Sequence, residues 1–257
     1  MHSLYVRHSV PNAWLEKTLS TFTHELRQLL KEDLIAVVLY GSGAGANFVP
    51  DLSDINVAIV VKTVSFEVLQ KLQPRMAAWH KQRFAMPLLL DQEFLQRARD
   101  VFPMEFHDIQ EQHRLLWGED VFQDLSLDSR HLRFQAEHEA RSKLLRLRAL
   151  YVEHADDLPR LRALLVDSSK TFLVLMRHLI RLHGQAGTPG YEDVLRRFER
   201  HFTVTLPRIQ QLIEIRSGRR PWPGEPLADF FHDYLAEVQQ IVSVIDRLPP
   251  HPSSSHA

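Results

Sequence analysis

The sequence contains no cysteine, which excludes disulfide bonds, thiolate metal sites and a cysteine nucleophile. No apolar run approaches the roughly 18 residues that cross a bilayer, so we expect no membrane partner. The formal net charge is only −1, so no strong overall field draws the chain to nucleic acid. Residues 1–11 also lack the apolar core of a signal peptide, and together these absences predict a cytoplasmic protein.

The chain has 257 residues, 44% of them hydrophobic and 25% charged, which suits one large or two medium globular domains. Candidate strands and helices alternate up to about residue 120, whereas every periodic segment from Arg130 onward is helical. We therefore predict an α+β fold, in which a small mixed β-sheet flanked by helices is followed by an α-helical bundle. The predicted domains are residues 1–120 and 130–248, and residues 249–257 are predicted to be a disordered tail.

Apolar periodicity and the positions of proline and glycine give the expected elements. The predicted strands are 34–40, 57–62, 86–90 and 104–109. The predicted helices are 12–32, 65–83 with an interruption at Pro74, 92–101, 131–155, 159–183, 191–203, 206–216 and 226–247.

The most informative stretch lies between the first two predicted strands. A short apolar run, Leu34–Tyr40, ends at Gly41-Ser42-Gly43, and Asp54 and Asn56 stand at the head of the second run. Because side chains two apart in a strand share a face, Asp54 and Asn56 should project together towards the glycine turn. Backbone amides in such a turn can bind phosphate oxygens, although a glycine-rich turn alone is a common feature, and Asp54 can equally be a structural turn residue.

This stretch resembles the signature of the nucleotidyltransferase fold, the superfamily of DNA polymerase β and the aminoglycoside nucleotidyltransferases. The family pattern is a strand ending in Gly-Ser, a spacer, and Asp-apolar-Asp at the head of the next strand. Here eleven residues separate Ser42 from Asp54, and Asn56 stands in place of the second carboxylate. The segment 102–120 is similar to one found in uncharacterised bacterial proteins of the same superfamily.

The resemblance implies that Gly41 and Ser42 bind the β- and γ-phosphates of a nucleoside triphosphate such as ATP. It also implies that Asp54 is the catalytic metal ligand and that Asn56 is a poorer second ligand for Mg²⁺. An amide oxygen can ligate Mg²⁺ but supplies no negative charge, so we expect metal binding to be weak or absent. The family's third carboxylate has no obvious match, and the candidates are Asp91, Glu105 and Asp108.

In the predicted bundle, Lys170 and Arg177 lie on one side of the helix 159–183. A solvated polar stripe is the commoner meaning of such a pattern. The functional alternative is that Lys170 and Arg177 form a basic wall that binds the triphosphate.

Two functions follow from this pattern. The first is Mg²⁺-dependent transfer of a nucleotidyl group from a nucleoside triphosphate to a hydroxyl on an unidentified acceptor. The second is a catalytically degenerate protein that binds a nucleotide or a protein partner, antitoxin-like or regulatory, which Asn56 favours. A homo-oligomer stays open as a further alternative.

Overall fold

The computed structural model describes residues 13–45, 48, 53–185, 188 and 190–248. Its strands are β1 (Leu34–Tyr40), β2 (Asn56–Val61), β3 (Leu88–Asp91) and β4 (His113–Gly118). They form one sheet in the order β3-β2-β1-β4. Strand β1 is antiparallel to β2 and β4, whereas β3 is parallel to β2, so the sheet is mixed as predicted.

Ten α-helices are present among the described residues. They are α1 (Ala13–Leu30), α2 (Phe66–Leu72), α3 (Met76–Lys81), α4 (Gln92–Arg97), α5 (Pro103–Glu111), α6 (Ser129–His154), α7 (Leu158–Leu182), α8 (Tyr191–Phe202), α9 (Pro207–Arg216) and α10 (Leu227–Arg247). The predicted α+β fold, with a small sheet followed by helices, is confirmed. No described helix is long and apolar enough to cross a membrane.

The chain divides into two compact units. The first contains the described residues up to Arg99 together with Glu105–Ser126, and the second contains Asp100–Met104 and the described residues from Leu127 onward. The division between Ser126 and Leu127 falls inside the segment 121–129 that separates the two predicted domains. The predicted tail, residues 249–257, lies outside the described residues.

Both faces of the two central strands are buried. The odd-numbered residues of β2, from Val57 to Val61, pack in a core with α1, α2 and α3. The alternate residues Ala58 and Val60 point to the other face and have no exposed surface. A sheet covered on both faces produces continuous apolar runs, which is why β1 and β2 were readable from the sequence.

The predicted strand over residues 104–109 is wrong, because these residues belong to helix α5. Pro103 occupies the first turn of the helix, where its missing N–H costs nothing, and Glu105 follows it in the same turn. Phe106 and Ile109, three residues apart, are both buried. The three-residue spacing fits a helix, whereas the short apolar run fits a strand. The sequence alone therefore could not decide between the two.

A buried carboxylate anchors one helix start in the second unit. Glu237 in α10 is 4% exposed and accepts hydrogen bonds from the backbone N–H groups of Arg208 at 2.7 Å and Ile209 at 3.0 Å. It thereby satisfies two of the donors that the first turn of α9 leaves unpaired. Burial raises the pKa of Glu237 to about 7, and the two N–H donors offset only part of that effect.

This buried carboxylate makes stability depend on pH. The native protein binds the Glu237 proton more tightly than the unfolded chain, whose carboxyl has a pKa near 4.5. The stabilisation is complete below that pKa and is lost as the pH rises through about 7, by an amount on the order of 3 kcal/mol. We expect the melting temperature of the wild type to fall between about pH 5 and pH 8.

In Glu237→Gln this part of the pH dependence should disappear. Glu93→Gln, at an exposed position of α4, removes only an arginine pair and should retain the wild-type profile. Parallel pH profiles for the wild type and Glu237→Gln would contradict the assignment.

Candidate functional site

The glycine turn begins where β1 ends. Gly41–Ala44 forms a single 3₁₀ turn. Gly41 has a φ of +68°, a backbone conformation in which a residue with a side chain would be strained. The Gly45 N–H closes the turn by donating to the Ser42 carbonyl at 3.2 Å. The Gly41 N–H is already used, because it donates to the carbonyl of Gln112 at 3.1 Å. The later N–H groups of the turn are used in its own i→i+3 bonds, so a phosphate would have to be bound by the Ser42 N–H and by side chains beside the turn.

Asn56 lies against this turn. The antiparallel register pairs Tyr40 with Asn56, so the first residue of β2 stands beside the last residue of β1. A Cβ atom placed on Gly41 would lie 3.4 Å from Nδ2 of Asn56. The structure thus brings the glycine turn and the substituted second position of the motif together.

Asp54 stands two residues before Asn56, and the residue between them is held in an extended conformation. The residue between them, Ile55, is fully buried, with its N–H bonded to the Arg83 carbonyl at 2.8 Å and its carbonyl accepting from Ala85 at 3.0 Å. This extended, core-facing residue turns both of its neighbours to the opposite face. Asp54 is exposed and Asn56 is half-buried, as expected for residues at the end of a strand.

Gln112 was not predicted from the sequence. It links α5 to β4, and besides bonding Gly41 it packs its side-chain amide against Gly45, so closely that a Cβ on Gly45 would overlap it. A larger residue at position 45 would require the Gln112 side chain to move. A glutamine after a helix carries no recognisable sequence signal, so only the structure reveals that Gln112 supports the turn.

Tyr40, the last residue of β1, has a paired residue on each neighbouring strand beside the turn. It pairs with Asn56 on one side and with His113 of β4 on the other. Burial raises the pKa of Tyr40, so its phenol stays neutral and can donate or accept a hydrogen bond. His113 is held in place, since its Nε2 lies 2.9 Å from Asp120 Oδ2.

Asp91, one candidate for the third carboxylate, does not belong to this site. It pairs with Val61 at the far end of β2, seven residues from Asp54, or roughly 20 Å along an extended strand. Its two oxygens are used structurally. Oδ1 accepts from the Phe94 N–H at 2.8 Å and caps α4, and Oδ2 accepts from the Val64 N–H at 3.1 Å.

The neighbouring strand supplies no carboxylate next to Asp54. Ile55 forms a parallel bridge with Phe84, and the β2–β3 register begins at Ala58 and Leu88. The residues between Phe84 and Leu88 are Ala85, Met86 and Pro87, none of which carries a charge.

The other two candidates, Glu105 and Asp108, lie on α5. Glu105 is exposed, whereas Asp108 is half-buried and its carbonyl accepts from the Gln112 N–H at 3.2 Å. Asp108 is therefore one helical turn from the residue that supports the glycine turn. Of the three candidates it is the nearest in sequence to Gln112.

The donor set does not fit a two-metal site. Across the described ranges, no group of three or more His, Cys, Asp or Glu side chains is placed to hold a metal ion. At the turn itself, Asp54 is the only carboxylate of the motif, and Asn56 contributes a neutral amide. Two Mg²⁺ ions beside a triphosphate need more anionic ligands than this.

Lys170 and Arg177 both lie on α7 in the second unit. Lys170 Nζ is 2.8 Å from Asp167 Oδ1, so a carboxylate of its own helix offsets its charge. Arg177 is half-buried. Their suggested contact with a triphosphate stays a prediction.

Neither a protein-family model nor a curated protein matches the sequence. Among solved structures, the chain is similar to the spectinomycin adenyltransferase AAD(9) from Enterococcus faecialis, determined with ATP and spectinomycin. The TM-score is 0.57 at 11% identity, over 90% of this chain and 99% of that chain. At this identity the likeness shows the fold alone, and the predicted nucleotidyltransferase fold is confirmed.

The two aspartates, Asp91 and Asp54, should respond differently to truncation. Asp91→Ala removes a helix cap and a second backbone acceptor, so we expect a loss of roughly 1–2 kcal/mol in the free energy of unfolding. Asp54→Ala alters an exposed side chain and should change it by less than about 0.5 kcal/mol. Urea denaturation measures both, and equal losses in the two variants would contradict these placements.

Proposed function

We propose that this protein is a nucleotidyltransferase-like protein that binds a nucleoside triphosphate at the Gly41–Ala44 turn, largely without help from metal. The observation that carries the proposal is the Asn56 amide beside Gly41. A carboxylate at this position could meet a phosphate only through a cation. An amide nitrogen can donate a hydrogen bond to a phosphate oxygen directly.

The electrostatics of the turn support the same conclusion. In the family pattern, two carboxylates beside a triphosphate repel it unless a cation lies between them. With Asn56 as the second group, only the Asp54 charge opposes the phosphates, and Asp54 is exposed, so solvent screens it. The Ser42 N–H of the turn and the Asn56 amide then provide the hydrogen-bond donors for the phosphates.

A second candidate is Mg²⁺-dependent nucleotidyl transfer to a hydroxyl acceptor. In its favour, Asp54 stands two residues before Asn56 in extended chain, a spacing that directs both side chains to one face. In this reaction the acceptor hydroxyl would lose its proton to water, its oxygen would bond to the α-phosphorus, and the bond to the leaving pyrophosphate would break. The protein would act by positioning and charge neutralisation, since it forms no covalent bond to the substrate.

The melting temperature of the full chain with ATP separates the two candidates. A ligand at 100 times its dissociation constant stabilises the native state by about 2.7 kcal/mol, which a thermal shift detects. For the metal-independent binder we expect the same shift with EDTA as with Mg²⁺. Asp54→Ala should preserve that shift or increase it, because a charge that repels the phosphates is removed.

A shift that requires Mg²⁺ and disappears in Asp54→Ala would favour the transferase instead. No shift with any nucleoside triphosphate would contradict both candidates. Asp91→Asn, which changes a carboxylate on β3 that is paired with the far end of β2, serves as the matched control and should respond to ATP as the wild type does.

Restoring the carboxylate tests the role of Asn56 directly. In EDTA, Asn56→Asp places a second negative charge beside Gly41 and should weaken ATP binding by about tenfold. In Mg²⁺ the same variant should bind ATP more tightly than the wild type, because two carboxylates can now share a cation. Isothermal titration calorimetry under both conditions measures the two affinities.

Asn56→Ala completes this comparison. It removes the amide without adding charge, so it should weaken binding equally with and without Mg²⁺. If Asn56→Asp bound ATP like the wild type under both conditions, the phosphates would not lie beside Asn56.

A further inference from the structure

We propose that the helical unit has a second binding site, a pocket between α6 and α7 that takes a small amphipathic anion. The cavity measures about 450 Å³, which lies in the range of small-molecule pockets. All of its lining residues lie from Lys143 to Phe172 on these two helices, so the site is contained in one unit. The proposal does not depend on nucleotide binding at the glycine turn.

The floor of the pocket is apolar. Leu147 of α6 and Phe172 of α7 line it and are almost fully buried, and Leu150 and Leu164 line it at half-buried positions. A pocket lined by apolar side chains favours a ligand with an aromatic or aliphatic group.

Most polar groups around the pocket are already paired. The charged pairs are Lys143 with Glu139 at 2.9 Å, Arg160 with Asp157 at 3.3 Å, and Asp167 with Lys170 at 2.8 Å. The Ser168 hydroxyl shares a 2.9 Å hydrogen bond with Tyr234, and the Thr171 hydroxyl donates to the Asp167 carbonyl at 3.3 Å. These groups therefore add little net attraction for a charged ligand.

Arg146 differs from the other lining cations. It is exposed at the pocket and forms no ion pair or hydrogen bond with any residue that the structure describes. A guanidinium presents a planar fork of donors that matches a carboxylate or a phosphate. An unneutralised arginine above an apolar floor selects a ligand with an apolar body and one anionic end.

Phenyl phosphate is a suitable probe because it has a ring for the floor and a charge for Arg146. Isothermal titration of the full-length protein should show saturable binding at millimolar concentration. Benzyl alcohol has the ring without the charge, and inorganic phosphate has the charge without the ring. Each should bind at least about tenfold more weakly than phenyl phosphate.

Two variants locate the probe. Arg146→Gln should weaken binding of phenyl phosphate by about tenfold, because a charge-assisted contact is lost. Ala163→Trp, from an exposed alanine that lines the pocket, should fill the space and remove binding. The matched controls are Arg148→Gln and Ala149→Trp, at exposed positions of α6 outside the lining, and both should bind as the wild type does.

Circular dichroism confirms that each variant is folded before titration. Saturable binding that persists in Ala163→Trp would place the probe elsewhere and overturn the proposal. Absence of saturable binding to the wild type, or equal binding of benzyl alcohol, would overturn it as well.

Discussion

The pairing register of β1 with β2 is the constraint on which the site depends. Because Tyr40 pairs with Asn56, the end of one strand and the beginning of the next meet at the glycine turn. Side chains alternate in a strand, so a slip by one residue would turn Asn56 into the core that the odd-numbered residues of β2 occupy. The buried odd-numbered residues of β2 prevent that slip. The hydrophobic core thus fixes which polar groups stand beside the turn.

The strands at the centre of the sheet were predictable because burial on both faces makes them short, continuous apolar runs. Helix α5 was not, since the run from Met104 to Ile109 fits a strand by composition and a helix by its buried residues, Phe106 and Ile109. The large separation of Asp91 from Asp54 was also not predicted. Its distance from Asp54 depends on β3 being parallel to β2, which no local pattern encodes.

The supporting role of Gln112 shows a further limit of sequence reasoning. Its carbonyl receives the Gly41 N–H and its side chain packs on Gly45, 71 and 67 residues away in the chain. Contacts of this kind arise from strand order, since β4 lies next to β1. The motif residues can be found by spacing, whereas the residues that hold the motif in shape come from topology.

The neutral amide at Asn56 also has a consequence for the stability of the turn. Two carboxylates held side by side repel each other, and such pairs depend on a bound cation or a retained proton to relieve the repulsion. Asp54 has no such partner in Asn56, so this pair requires neither. Removal of divalent ions should consequently leave the geometry of the turn unchanged.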